Sequence, residues 1–128
     1  MRFLIIDDDI SSCQLLQLRL EIYGNSNFAT DADKAMEFFL LAHEANNPYD
    51  IIFLDIVMPN VTGHDLLKWF RLWEEDHKIA ENPVKIVMVS AMKDTKNIFA
   101  SLKSGCDNYM TKPIKEQGIA EVMKKLGY

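Results

Sequence analysis

Ile51-Ile52-Phe53-Leu54-Asp55-Ile56-Val57-Met58-Pro59-Asn60-Val61-Thr62-Gly63 is the stretch on which the fold turns. Its first four residues are apolar without a polar partner, which reads as a buried strand. The run stops at an aspartate, passes through a proline-to-glycine loop and leads into a helical pattern. Pro59 fixes its own φ, and Gly63 suits a place where a Cβ would be in the way.

Three other apolar runs end the same way. Phe3-Leu4-Ile5-Ile6 stops at Asp7-Asp8, Val87-Met88-Val89 at Ser90, and Tyr109-Met110-Thr111 at Lys112. If all four are parallel strands of one sheet, their carboxyl ends share an edge, and open α/β sheets bind ligands at that edge. Three carboxylates, a hydroxyl and an ammonium would converge there.

Helical patterns fill the intervals. From 10 to 23, Ile10, Leu15, Leu16, Leu18, Leu20 and Ile22 recur at roughly helical spacing, and Gly24 closes the segment. A short strand is expected over Ser26–Thr30. A helix follows over 32–45, stopped by Asn46-Asn47-Pro48. After Gly63, the helix Asp65–Glu75 should turn Leu66, Phe70 and Trp73 inward, with Trp69 and Trp73 forming a stripe. The segment Glu74–Pro83 is polar and reads as a surface loop. Val84–Val89 is a strand, and helices over 94–103 and 115–126 flank a last strand at 107–111. Strand and helix alternating five times imply a parallel sheet with helices on both faces, wound by right-handed crossovers.

Bulk properties fit one soluble domain. The chain has 128 residues, 48% hydrophobic and 26% charged. No apolar stretch reaches membrane-spanning length and no signal-peptide layout is present, so a cytoplasmic location without membrane insertion is expected. The net charge of −5 divides unevenly: residues 1–83 hold 6 basic and 15 acidic side chains (−9), and residues 84–128 hold 8 and 4 (+4). The acidic balance excludes direct nucleic-acid binding, while the basic final third suits an acidic protein partner. Cys13 and Cys106 have no metal-ligand spacing and read as reduced, half-buried thiols. His43, His64 and His77 read as surface or loop histidines.

Asp7, Asp8 and Asp55 carry the chemistry. Neighbouring carboxylates repel, so they need protons, solvent or a cation to coexist. A hard divalent ion with oxygen ligands suits them. A carboxylate can also attack phosphorus and form an aspartyl phosphate, with the metal neutralising charge on the phosphoryl oxygens. Lys112 would add positive charge and Ser90 a hydroxyl donor. Asp9 reads instead as a helix N-cap.

The segments Phe3–Asp9, Leu54–Gly63, Val89-Ser90-Ala91 and Gly105–Pro113 together resemble the receiver domain of two-component response regulators, in family order and across essentially the whole chain. The resemblance implies a single receiver domain over 1–128 with no separate effector domain. Its fold would be a doubly wound, flavodoxin-like (βα)5 with a five-stranded parallel sheet in order 2-1-3-4-5. Asp55 would be the phosphoacceptor, taking its phosphoryl group from a histidine kinase or phosphotransfer protein. Asp8 and Asp55 would ligate Mg²⁺ directly, Asp7 through a bound water, and Val57 through its backbone carbonyl. Lys112 would pair with the phosphoryl group, and its bond to Pro113 is a candidate for cis geometry.

Ser90 and Tyr109 look like the family's switch pair: Ser90 would bond the phosphoryl group and Tyr109 would rotate into the vacated space. That would remodel the face made by the helix near 94–103, the last strand and the last helix. A downstream protein target would read that face, on a monomer or a phosphorylation-linked homodimer. Apolar Val57 and Met92 flank the path of hydrolytic water, which implies a long-lived phosphoform. Ile56 stands where some relatives carry tryptophan, so tryptophan quenching is not expected to report metal binding. The chain would be a phosphorylated substrate that assists its own chemistry, not a turnover enzyme.

Two other readings stand beside it. Asp7-Asp8-Asp9-Ile10-Ser11 also resembles the DxDx[ST] signature of haloacid-dehalogenase-type phosphatases, with Asp7 as nucleophile and Asp9 as general acid. That leaves Asp55 and the Met58–Gly63 loop without a role. A degenerate receiver serving as a constitutive scaffold is opposed by the complete set of acids, Ser90 and Lys112.

Overall fold

The computed structural model describes residues 1–91, 100 and 103–128. Its elements run β1 (Arg2–Ile6), α1 (Ile10–Leu20), β2 (Asn25–Ala29), α2 (Ala32–Glu44), β3 (Ile51–Asp55), α3 (Gly63–Asp76), β4 (Lys85–Ser90), β5 (Asn108–Thr111) and α4 (Glu116–Lys125). The helix expected over 94–103, and Met92 with it, lie largely or wholly outside the described residues. All strand pairs are parallel and the sheet order is β2-β1-β3-β4-β5, as the resemblance implied.

The strands' lack of alternation follows from helices covering both faces. Leu4, Ile6, Ile52, Leu54, Ile86 and Met88 face the side packed by α2 and α3. Phe3, Ile5, Ile51, Phe53, Val87 and Val89 face the side of α1 and α4. Each such side chain, taken fully from water, contributes about 1.5–3 kcal/mol. The two edge strands are the exceptions: only Ala29 of β2 and Met110 of β5 are buried, which explains why the sequence signal of β2 is faint.

Helix starts are set by caps. Asp9 accepts from Ser11 N–H at 3.3 Å and from Ser12 Oγ at 2.7 Å, Asp31 from Lys34 N–H at 2.7 Å, and Thr62 from Asp65 N–H at 3.2 Å. Each is worth roughly 1 kcal/mol. Asp9 is therefore the cap its position suggested.

Three local expectations are modified. α1 ends at Leu20 and buries Cys13, Leu16 and Leu20, leaving Ile10, Leu15, Leu18 and Ile22 exposed. α3 starts at Gly63, two residues earlier than expected, and buries Leu67 and Glu74 beside Leu66 and Phe70. Glu74 belongs to no surface loop: it takes Val84 N–H at 2.7 Å and Arg71 Nη1 at 2.7 Å. Arg71 also bonds the carbonyls of Val84 and Gly105 and the Asp107 carboxylate, which ties α3 to the entries of β4 and β5. Trp69 and Trp73 are half buried, each edge-on to Phe39. His43 is half buried rather than free in solvent, its ring 4.6 Å from that of Trp73.

Candidate functional site

Register brings the acids together. Ile6 pairs with Leu54, so Asp7, the next residue, stands level with Asp55 at the last position of β3. The two-residue period places Asp7 and Asp55 on the α1–α4 side, in phase with Ile5 and Phe53. Asp55 pairs in turn with Val89, and Ser90 with Thr111. The Lys112 N–H bonds the Ser90 carbonyl at 2.9 Å, extending the ladder by one step. The four run ends therefore meet on one edge.

Asp7, Asp55 and Ser90 are buried, while Asp8 is exposed. Lys112 Nζ lies 2.7 Å from Asp7 Oδ2 and 3.8 Å from Asp55 Oδ2. Asp7 Oδ1 accepts the Asp9 N–H at 2.9 Å. Carboxylate oxygens of Asp7, Asp8 and Asp55 all lie within 4.8 Å of one another. Three carboxylates against one ammonium leave two negative charges in a partly buried space. A divalent cation with oxygen ligands matches that balance, so the donor set fits a hard metal ion.

The pKa directions follow. Burial first, then the Asp7 charge and more weakly Asp8, push Asp55 up to about 6 against the opposing pull of Lys112 and the Val57 N–H. Burial alone would lower Lys112, but its hydrogen bond to Asp7 and the charges of Asp55, Asp7 and Asp9 outweigh it and raise the ammonium. Cys13, whose thiol reaches the Asp7 carbonyl at 3.4 Å, is pushed by burial to about 12 and stays protonated.

The loop after β3 is held close. Ile56 N–H bonds the Val89 carbonyl and Gly63 N–H the Ile56 carbonyl, at 3.0 and 2.9 Å. A Cβ on Gly63 would sit 2.2 Å from the Asp55 carbonyl oxygen, so only glycine lets α3 start this near the acid. Asn60 takes φ 70°, and the Lys112–Pro113 bond is cis. Val57 is 59% exposed at the mouth of the site. Tyr109 is half buried and packs on the α2–α3 side of the sheet, opposite Met110.

Sequence reasoning missed one feature. Beside the acids is a cavity of about 340 Å³ that includes Asp7, Asp55 and Lys112 in its wall. The rest is mainly apolar, from Leu15, Leu16, Phe53, Val89, Pro113 and Ile114. The available signal was the surplus of leucines over 10–22, more than one buried helix face can use.

Comparison with known proteins gives a consistent picture. The family model described as response regulator receiver domain matches residues 3–124. A sensor histidine kinase, GacS of Pseudomonas protegens, is 32% identical over 97% of this chain, which spans 13% of that protein. The regulatory protein VanRB of Enterococcus faecalis is 31% identical over 90% of the chain, covering 47% of its own length. The chain thus spans about half or less of these curated relatives. Among solved structures, the receiver domain of Saccharomyces cerevisiae Ssk1, crystallised with the histidine phosphotransfer protein Ypd1, superposes with a TM-score of 0.83 at 22% identity. That match covers 97% of this chain and 86% of the other, and carries the fold.

Proposed function

The chain belongs to the response regulator receiver domain family of two-component systems, and from that premise we propose that Asp55 is its phosphoacceptor and Mg²⁺ its metal. The observation that carries this reading is the Lys112 ammonium set between Asp7 and Asp55, at 2.7 and 3.8 Å, inside a three-carboxylate cluster. Asp7, Asp8, Asp55 and the Val57 carbonyl would hold the ion, which supplies charge neutralisation for the phosphoryl oxygens.

In the transfer, an Asp55 Oδ attacks phosphorus in line. The P–N bond of a donor phosphohistidine breaks and its electron pair stays on the imidazole. Lys112, already within reach of Asp55, shifts toward the new phosphoryl oxygens. Ser90, one residue beyond the partner of Asp55 on β4, donates its hydroxyl to another of them. The phosphoryl group adds roughly 1.5–2 negative charges and three acceptors, and Tyr109, on the neighbouring strand, is the second member of the switch. A downstream protein reads β5 and α4, where Lys124 and Lys125 give a basic helix end, on a monomer or a phosphorylation-linked dimer.

The protein is in this reading a substrate that assists its own phosphorylation and dephosphorylation. The donor is a histidine kinase or phosphotransfer protein. Among the described residues no helix is long and apolar enough to cross a membrane; action in the cytoplasm, beside a kinase's catalytic domains, is part of the same proposed reading. A dehalogenase-type alternative would need Asp9 as a general acid, but its carboxylate is occupied by Ser11 and Ser12 as a cap.

Intact mass after incubation with acetyl phosphate tests the reading. One phosphoryl group should be gained with Mg²⁺, none with chelator, and none in Asp55→Asn. Undiminished labelling of that variant would refute it.

A further inference from the structure

The seam between α2 and α3 holds apolar surface that the fold leaves partly uncovered. Phe39 fills its floor, with Trp69, Phe70 and Trp73 around it at ring separations of 6.0, 4.8 and 5.1 Å. Both tryptophans stay half buried, and Leu40 and Leu72 are 39% and 60% exposed. Residues three or four apart are neighbours on a helix surface. Leu40 follows Met36 by four and Leu72 follows Trp69 by three, so the apolar row continues along both helices. At the end of α3, His77 stacks on Trp73 at 4.0 Å. A contiguous apolar strip rimmed by polar residues marks an interaction site.

The rim is of one sign. Asp33 and Glu44 stand one turn from Met36 and Leu40, and Asp65 and Asp76 one turn from Trp69 and Trp73. Lys34 lies 3.6 Å from Glu37 and over the Phe38 ring, and Arg71 is 2.7 Å from buried Glu74. What remains on the two helices is Asp33, Glu44, Asp65, Glu75 and Asp76 against Lys68. His43, between Phe39 and Trp73, adds no counter-charge at neutral pH, because burial lowers its pKa more than Glu74 raises it.

We propose that this seam binds a basic amphipathic helix of a partner protein, laid along α2 and α3 with its apolar face on Leu40, Leu72 and the two indoles. Charge selects that occupant. Lysine or arginine on the flanks of such a helix meets the acidic rim, and a guanidinium group stacks on an indole face. An acidic segment or an anionic membrane surface would be repelled by the same rim. The seam is a second docking face, apart from β5 and α4, and the inference does not depend on Asp55 as phosphoacceptor.

The chain's two tryptophans both lie in the seam, so its emission reports occupancy. The probe is a synthetic Leu/Lys peptide of about 18 residues without tryptophan, with leucine at i, i+3, i+4 and i+7. Titration should blue-shift the emission saturably. Raising ionic strength from about 0.01 to 1 M, which shortens the Debye length from about 30 to 3 Å, should weaken binding about tenfold or more. Leu72→Gln should weaken it about tenfold, the worth of one buried leucine, and Asp76→Asn about two- to threefold. Both positions are exposed, so the variants' urea midpoints should match wild type. A Leu/Glu peptide of the same pattern, and a Leu/Lys peptide scrambled to have no apolar face, should leave the emission unchanged.

No blue shift with the Leu/Lys helix, an equal shift with either control peptide, or an affinity indifferent to both substitutions overturns the proposal. So does self-association in sedimentation equilibrium that Leu72→Gln abolishes, which would give the seam to a second copy of the chain. The same shift with anionic phospholipid vesicles would give it to a membrane and overturn the proposal equally.

Discussion

Asp55→Asn should make the metal-free protein more stable at neutral pH, although it removes the residue on which function depends. Asp55 is buried, with 6% of its surface exposed, and its folded-state pKa is about 6 against an ordinary value of 3.8. A raised carboxylate pKa means that the folded state holds its proton more tightly than the unfolded chain. Between about pH 4 and pH 6 the folded protein binds more protons, so stability falls as pH rises through that window. Above it the full penalty applies, with a ceiling of about 3 kcal/mol for a shift of this size. That ceiling is already net of the 3.8 Å attraction to Lys112; asparagine removes the charge but still buries a polar amide, which offsets part of the gain. The net gain should be about 1–2 kcal/mol at pH 7, or roughly 3–8 °C in Tm.

Urea unfolding in EDTA at pH 7 and pH 4 reads it directly. The variant should exceed wild type at pH 7 and match it at pH 4, and millimolar Mg²⁺ should shrink the difference by stabilising wild type through binding. A variant less stable than wild type at pH 7 in EDTA, or equally shifted at both pH values, would refute the electrostatic account of the site.

Three other outcomes are expected. Gly63→Ala, whose new methyl group would sit 2.2 Å from the Asp55 carbonyl oxygen, should cost about 1–3 kcal/mol and slow labelling; urea midpoints and acetyl phosphate rates would show otherwise if α3 simply moved aside. Arg71→Met should destabilise by about 3 kcal/mol, because it strands the buried Glu74 carboxylate, and hydrogen exchange should rise at Val84 and Ile86; an unchanged unfolding midpoint would contradict this. The phosphoform should persist for minutes or longer in Mg²⁺ buffer, since exposed Val57 cannot orient water; decay within seconds would overturn that expectation.

What could be read in the sequence was what is written locally along the chain. The four apolar runs and the polar residues that end them identified Asp7, Asp8, Asp55, Ser90 and Lys112 as neighbours, because parallel strands buried on both faces share one carboxyl edge. The order of strands did not follow from the runs themselves; it came with the resemblance, and the observed register agrees. Glu74 was misread, since its burial depends on Arg71 one turn earlier and on Val84 beyond a loop, which no helical periodicity reveals. α1 was over-filled for a similar reason: Leu15 and Leu18 fit a helical rhythm, but the sheet covers only the face of Cys13, Leu16 and Leu20. The cavity beside Asp55 arises where Leu15 and Ile114, nearly the whole chain apart, approach the same acid.

The most direct test of the central claim is to locate the phosphoryl group. Protein labelled with acetyl phosphate and Mg²⁺, treated with borohydride so that the acyl carbon is reduced and phosphate leaves, and then digested, should carry homoserine at the position of Asp55 and nowhere else. Modification at Asp7, or a label that survives Asp55→Asn in full, would contradict the account.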